Sequence, residues 1–172
     1  MNKIYRRLIH NLLVTLFLAV SVGLTSAPAL AGGYDNSLKD VTGLKAVFDV
    51  SQGSAKVSNL VFWAIKNVYE DKTVQNLPEK TKLAVVFHGP AVKLISTVND
   101  GLKKEEVMEK DKFQATLRQM KKDGVKLEVC LYAAKVMGVD PATIIPEIDR
   151  VGNGFISVIG YQTQGYSVVR VP

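Results

Sequence analysis

The segment Lys82-Leu83-Ala84-Val85-Val86-Phe87-His88 constrains the fold of this chain more than any other. A strand with one wet face alternates apolar and polar residues, whereas a near-continuous apolar run is covered on both faces. Such a strand belongs in the middle of a parallel sheet, with helices above and below it.

The flanking sequence supplies those helices. Lys45 to Val50 reads as a strand, and Ser51-Gln52-Gly53-Ser54 as the loop after it. Val57, Leu60, Val61, Ala64, Ile65 and Val68 then recur at helical spacing, with Ser54 as N-cap. After the central strand, Gly89-Pro90 predicts the first turn of a helix carrying Val92, Ile95 and Val98, closed by Asn99-Asp100-Gly101. Leu102 to Lys110 is highly charged and reads as a loop or exposed helical turn. Phe113, Leu117 and Met120 mark an amphipathic helix ending at Asp123-Gly124. Val125 to Leu131 is a third strand, Ala133 to Met137 a short helix, and Asp140-Pro141 the N-cap and first residue of another turn. Phe155 to Tyr161 reads two ways. β-Branching favours a strand, but Asn153-Gly154 suits the cap of a helix ending at Gly165, with Tyr166 to Arg170 as the last strand. Either way the expected fold class is α/β, a three-layer arrangement around a mostly parallel sheet.

Charge bears on location before it bears on partners. The 172 residues carry 22 Lys and Arg against 16 Asp and Glu, a formal net charge of +6. Three of the cations, Lys3, Arg6 and Arg7, precede the apolar run Leu12 to Leu24, and Ala29-Leu30-Ala31 follows it. Basic segment, apolar run and small-residue site are the parts of a secretory signal peptide. The run is short of the roughly 20 residues that span a bilayer. The expected organisation is a signal peptide over 1–31, cleaved after Ala31, and one domain over 32–172, periplasmic or secreted, with no stable membrane anchor. The remaining basic residues interleave with acids, as in Lys103-Lys104-Glu105-Glu106, which reads as solvated helix surface. No nucleic-acid partner is expected.

Cys130 is the only cysteine, so the domain holds no internal disulfide. A lone thiol in an oxidising compartment is either buried and inert or reactive. Groups with chemistry gather at the carboxyl ends of strands in open α/β sheets. Cys130 closes the third strand there, just before a helix whose unpaired N–H groups favour a thiolate. His88, the only histidine after residue 31, closes the second strand, within reach of Cys130 if the two strands are neighbours. Asp49, near the end of the first strand, is a more distant candidate. The bland readings stand beside these: His88 tying down the Gly89-Pro90 turn, and Cys130 pointing into the core. Trp63 reads as core or subunit interface. One Cys and one His cannot build a four-ligand zinc site, and neither a phosphate-binding glycine loop nor a serine nucleophile elbow is present. No cofactor is expected.

Five segments in order carry a family resemblance: Val85-Val86-Phe87-His88-Gly89-Pro90, then Phe113, Leu117, Met120 and Gly124-Val125-Lys126, then Glu128-Val129-Cys130, then Met137-Gly138-Val139-Asp140-Pro141, then Val151-Gly152-Asn153-Gly154 with Gln164-Gly165-Tyr166. Together they resemble the DsrE/DsrF-like family, which includes sulfur-relay proteins of the TusD type. The resemblance implies a Rossmann- or flavodoxin-like sheet of about five strands, a helix over Asn153 to Gln164, and a homotrimer or homohexamer. It also implies that Cys130 carries sulfur as a persulfide. Two features depart from the pattern: sulfur-relay members act in the cytoplasm, and Tyr132 stands where many relatives have a small or amide residue.

Two functions follow as expectations. One is a sulfurtransferase-like or thiol-redox role through Cys130, with His88 activating or orienting it, and a sulfur donor or acceptor protein or small thiol completing the cycle. The other is a non-enzymatic oligomer that binds a small ligand or protein around the same residues.

Overall fold

A computed structural model describes residues 33–172; the expected signal peptide over 1–31 lies outside the described residues. Residues 33–39 form a short turn-rich segment of their own, and the domain begins at Asp40.

Five strands, β1 (Lys45–Val50), β2 (Lys82–Phe87), β3 (Lys126–Cys130), β4 (Asp149–Val151) and β5 (Ser167–Val171), form one sheet in the order β4-β3-β2-β1-β5. Every pairing is parallel. The central strand is β2, as its apolar run requires: Leu83 to Phe87 are all buried. The helices are α1 (Ala55–Glu70), α2 (Lys72–Gln75), α3 (Lys104–Lys122), α4 (Leu131–Val136) and α5 (Gly154–Thr163). None among the described residues is long and apolar enough to cross a membrane.

The sheet's two faces differ in how they are covered. Phe48, Val50, Val85, Phe87, Leu127 and Val129 point into the main core, which α1 and α3 close with Phe62, Ile65, Phe113, Leu117 and Met120. On the other face Val47, Ala84 and Val86 meet only Tyr161 of α5 and Tyr166, with Val158 at the margin. The Tyr161 hydroxyl donates to Glu128 Oε1 at 2.6 Å, pinning α5 to β3. Burial and this bond both push the Tyr161 phenol well above the usual tyrosine range. It therefore remains a donor at any physiological pH.

The sequence reading is confirmed for Ser54, whose Oγ accepts from Val57 N–H, and for Asn153, whose side chain accepts from Phe155 N–H at the start of α5. The helix over the last ambiguous segment, implied by the family resemblance, is therefore the one that forms. Two expectations change. The helix predicted through Val92, Ile95 and Val98 is only a 3₁₀ stretch, Gly89–Lys93. Beyond it Gln114 Nε2 donates to the carbonyls of Leu94 and Ser96 at 3.0 and 2.9 Å, while Ser96 bridges antiparallel to Ile144. Backbone groups with such partners have no need of a helix. Of the two readings of the charged stretch Leu102 to Lys110, the helical one forms, as part of a long helix rather than a single turn: α3 begins at Lys104, where Glu106 accepts the Lys103 N–H at 2.9 Å. Lys110 is buried, its Nζ donating to Asn99 Oδ1 and the Val98 carbonyl. The edge strand β4, which the sequence pattern does not mark, has three residues, too few to show alternation.

Candidate functional site

Strand alternation puts Asp49, His88 and Cys130 on one face. In β1 the residues sharing a side are Lys45, Val47 and Asp49; in β2 they run from Lys82 to His88; in β3 they are Lys126, Glu128 and Cys130. Parallel pairing of Phe48 with Val85 and of Phe87 with Val129 then sets these side chains along the carboxyl edge of three adjacent strands. All three sequence candidates are thus brought together, under the N-terminus of α5.

His88 is 8% exposed. Its Nε2 lies 3.2 Å from Asp49 Oδ1, yet it has no partner with hydrogen-bond geometry. The contact is one of charge and proximity rather than a directed bond. Phe155 lies nearly parallel to the imidazole, 5.2 Å between ring centres. Burial pushes the His88 pKa below the ordinary histidine value, and the Asp49 carboxylate only partly opposes this. The folded protein therefore holds a neutral imidazole at neutral pH.

A sign follows for stability. As pH falls through the ordinary value of 6.5, the unfolded chain takes up a proton that the folded chain refuses. This contribution is complete above that value and declines below it. Urea denaturation of wild type and His88→Gln, compared at about pH 7.5 and 5.5, should show the wild-type advantage narrowing at the lower pH. An advantage that grows on acidification would mean that His88 is charged in the fold.

Cys130 is 4% exposed and is the N-cap of α4, its Sγ accepting from Ala133 N–H at 3.4 Å. No hydrogen bond joins it to His88. What joins them is Gly154: a Cβ built there would lie 2.3 Å from His88 Cε1, 2.9 Å from His88 Nδ1 and 2.8 Å from Cys130 Cβ. Imidazole and cysteine flank the first residue of α5, a position with no side chain.

A groove of about 380 Å³ opens beside them, lined by His88, Cys130, Ala133, Met137 and Phe155, with Tyr132 at its rim. Tyr132 is 67% exposed, so it leans out rather than covering the thiol. Trp63, expected in the core or at an interface, is 70% exposed on α1 and is not a core residue. Among the described residues no group of three or more His, Cys, Asp or Glu side chains could hold a metal ion. Sequence reasoning missed Gly154 as part of the arrangement and Phe155 as its wall. The signal was present in the Asn153-Gly154-Phe155 cap, but only tertiary packing shows what the cap rests on.

Residues 45–171 match the DsrE/DsrF-like family. Among solved structures, a protein of unknown function from Methanobacterium thermoautotrophicum, MTH1491, is similar at 17% identity. The alignment covers 74% of this chain and 98% of that one, with a TM-score of 0.57. The ychN protein from E. coli is similar at 15% identity over 74% of this chain and 98% of its own, with a TM-score of 0.47. The likeness to MTH1491 is one of fold: a flavodoxin-like parallel sheet of five strands between helices. No curated protein matches this chain.

Proposed function

The chain belongs to the DsrE/DsrF-like family, and from that premise we propose that it carries sulfane sulfur on Cys130. The observation that bears most weight is the setting of the thiol. It ends an interior strand, lines an open groove, takes a backbone N–H at its sulfur, and stands beside a buried neutral imidazole. A persulfide needs a sulfur that can be reached and groups that orient its outer atom. The groove supplies the first, and His88 with the start of α4 the second.

With thiosulfate as donor, the Cys130 thiolate attacks the outer sulfur, forming a new S–S bond. The bond to sulfite breaks and sulfite leaves with the electron pair, so charge balances without an outside oxidant. An acceptor thiolate next attacks the outer sulfur of the Cys130 persulfide, taking that atom and returning Cys130 as thiolate. The chain has no second cysteine to resolve the persulfide, so the acceptor is a partner thiol or a small one. Tyr132 at the rim favours a partner that packs on an aromatic ring.

The same reading has the protein exported under residues 1–31 and assembled as a trimer or hexamer of identical chains. Support for assembly comes from apolar side chains left in water: Val57, Leu60 and Trp63 on α1, and Phe155, Ile156 and Ile159 on α5. Native mass spectrometry after incubation with thiosulfate or polysulfide reads both points. The expected result is an oligomer whose subunits gain about 32 Da, one sulfur atom, in wild type and not in Cys130→Ser. An unmodified wild type under every donor would overturn the sulfur role and leave the groove as a binding site; a monomer would overturn the assembly.

A further inference from the structure

The amino edge of the sheet holds an arrangement that the sulfur chemistry does not use. β1, β2 and β3 each open with a lysine (Lys45, Lys82 and Lys126), and all three lie on the face that carries Asp49, His88 and Cys130 at its other end. Lys45 pairs directly with Lys82, and Lys126 pairs with Ala84, one same-side step further along β2. Lys80 enters from the segment before β2. These four lysines surround a cavity of about 440 Å³ together with Thr81, Gly124, Gln164 and Tyr166. No carboxylate lines it.

We propose that this cavity binds a small multivalent oxyanion of the phosphate or pyrophosphate type, free or as part of a soluble phosphorylated molecule. Like charges gathered at neighbouring strand starts repel one another, and that cost is relieved by a counter-charge. None of the four lysines has a carboxylate within ion-pair distance among the described residues. The nearby acids are engaged elsewhere. Glu79 accepts from Thr42 Oγ1, and Glu128, on the same face, accepts from the Tyr161 hydroxyl through Oε1 while its Oε2 is buried without a partner and outside the cavity lining. Lys126 rests over the Tyr161 ring, 5.7 Å from its centre, which positions that ammonium without neutralising it. The carboxy-terminal end of α5 at Gln164 offers a partial negative charge, enough to favour one cation there but not four. Thr81 adds an unpaired hydroxyl to the wall. The concavity argues for a compact soluble anion, since a flat basic surface would suit a membrane better than a pocket does.

Isothermal titration of the protein with inorganic pyrophosphate, at constant ionic strength in chloride, tests the site. Binding should be saturable, raise Tm, and weaken at least about tenfold in Lys82→Gln/Lys126→Gln, because each lost ammonium removes a charge-assisted hydrogen bond. The exposed pair Lys104→Gln/Lys112→Gln on α3 removes equal charge elsewhere and should leave binding unchanged. Cys130→Ser should also bind normally, which separates this site from the sulfur reading. An absence of pyrophosphate binding, equal weakening by both lysine pairs, or binding only to vesicles of an anionic phospholipid would each overturn the proposal.

Discussion

Alanine at position 154 is expected to disable the thiol site while leaving the sheet folded. The Gly154 backbone needs no left-handed conformation, so the effect of an added methyl is steric alone. That methyl would stand 2.3 Å from the imidazole and 2.8 Å from the cysteine Cβ. Neither can yield easily. The cysteine Cβ is fixed to β3, and the imidazole is held between Asp49 and Phe155. Forcing a methyl into such packing costs about 1–3 kcal/mol. The greater consequence is for chemistry, because relieving the overlap must displace the imidazole, the cysteine or the start of α5 from their present arrangement. Native-state alkylation of Cys130 and sulfur loading should both change severalfold, with urea denaturation reporting the stability loss. Gly152→Ala is the control: a Cβ there meets nothing within 4 Å, and its φ is ordinary. Gly154→Ala behaving like Gly152→Ala would show that imidazole and thiol act independently.

The largest loss of stability is expected from Phe113→Ala. Phe62, Phe87 and Phe113 are fully buried and form an aromatic trio between α1, β2 and α3. Phe113 meets Phe62 edge to face at 4.8 Å and Phe87 at 6.3 Å. Deleting such a ring costs about 3–5 kcal/mol, through lost transfer energy and the cavity left behind. That is a large part of the roughly 5–15 kcal/mol that holds a domain together. Phe87 directly precedes His88, so the same cavity loosens the strand end on which the imidazole stands. Trp63→Ala makes the contrast. Its neighbour in sequence is Phe62, yet its ring is in water in the single chain, so a change within about 0.5 kcal/mol is expected below the assembly concentration. Equal losses at Phe113 and Trp63 would mean that the face of α1 is misassigned.

Phe62 and Trp63 also show where sequence reasoning stops. Helical spacing placed Val61, Ile65 and Val68 toward a core, but two adjacent aromatics cannot both lie on a narrow stripe. Which one is buried depends on where α3 packs. The Pro90 segment is a similar case: its apolar spacing predicts a helix, and Gln114, 20 residues beyond Leu94 and 18 beyond Ser96, takes their carbonyls instead. Charge patterning along the chain shows Lys103 to Glu106 and the mixed surface of α3. It does not show Lys45, Lys82 and Lys126, which are dispersed in sequence and gathered in space.

The sequence by itself determined the class of this protein. The apolar run Leu83 to Phe87 demands cover on both faces, the alternating strand and helix patterns demand a parallel sheet, and the same segments mark the DsrE/DsrF-like family. It also determined which residues of each strand share a side, because that alternation is local geometry. Only the tertiary structure decided which strands are neighbours. Parallel pairing put the three strand ends side by side, joining Asp49, His88 and Cys130 at one edge and the lysines at the other. It also laid α5 across the face so that a glycine falls between imidazole and thiol. These contacts join residues tens of positions apart, and they follow from how helices of given shape pack on a sheet rather than from any local preference of the chain.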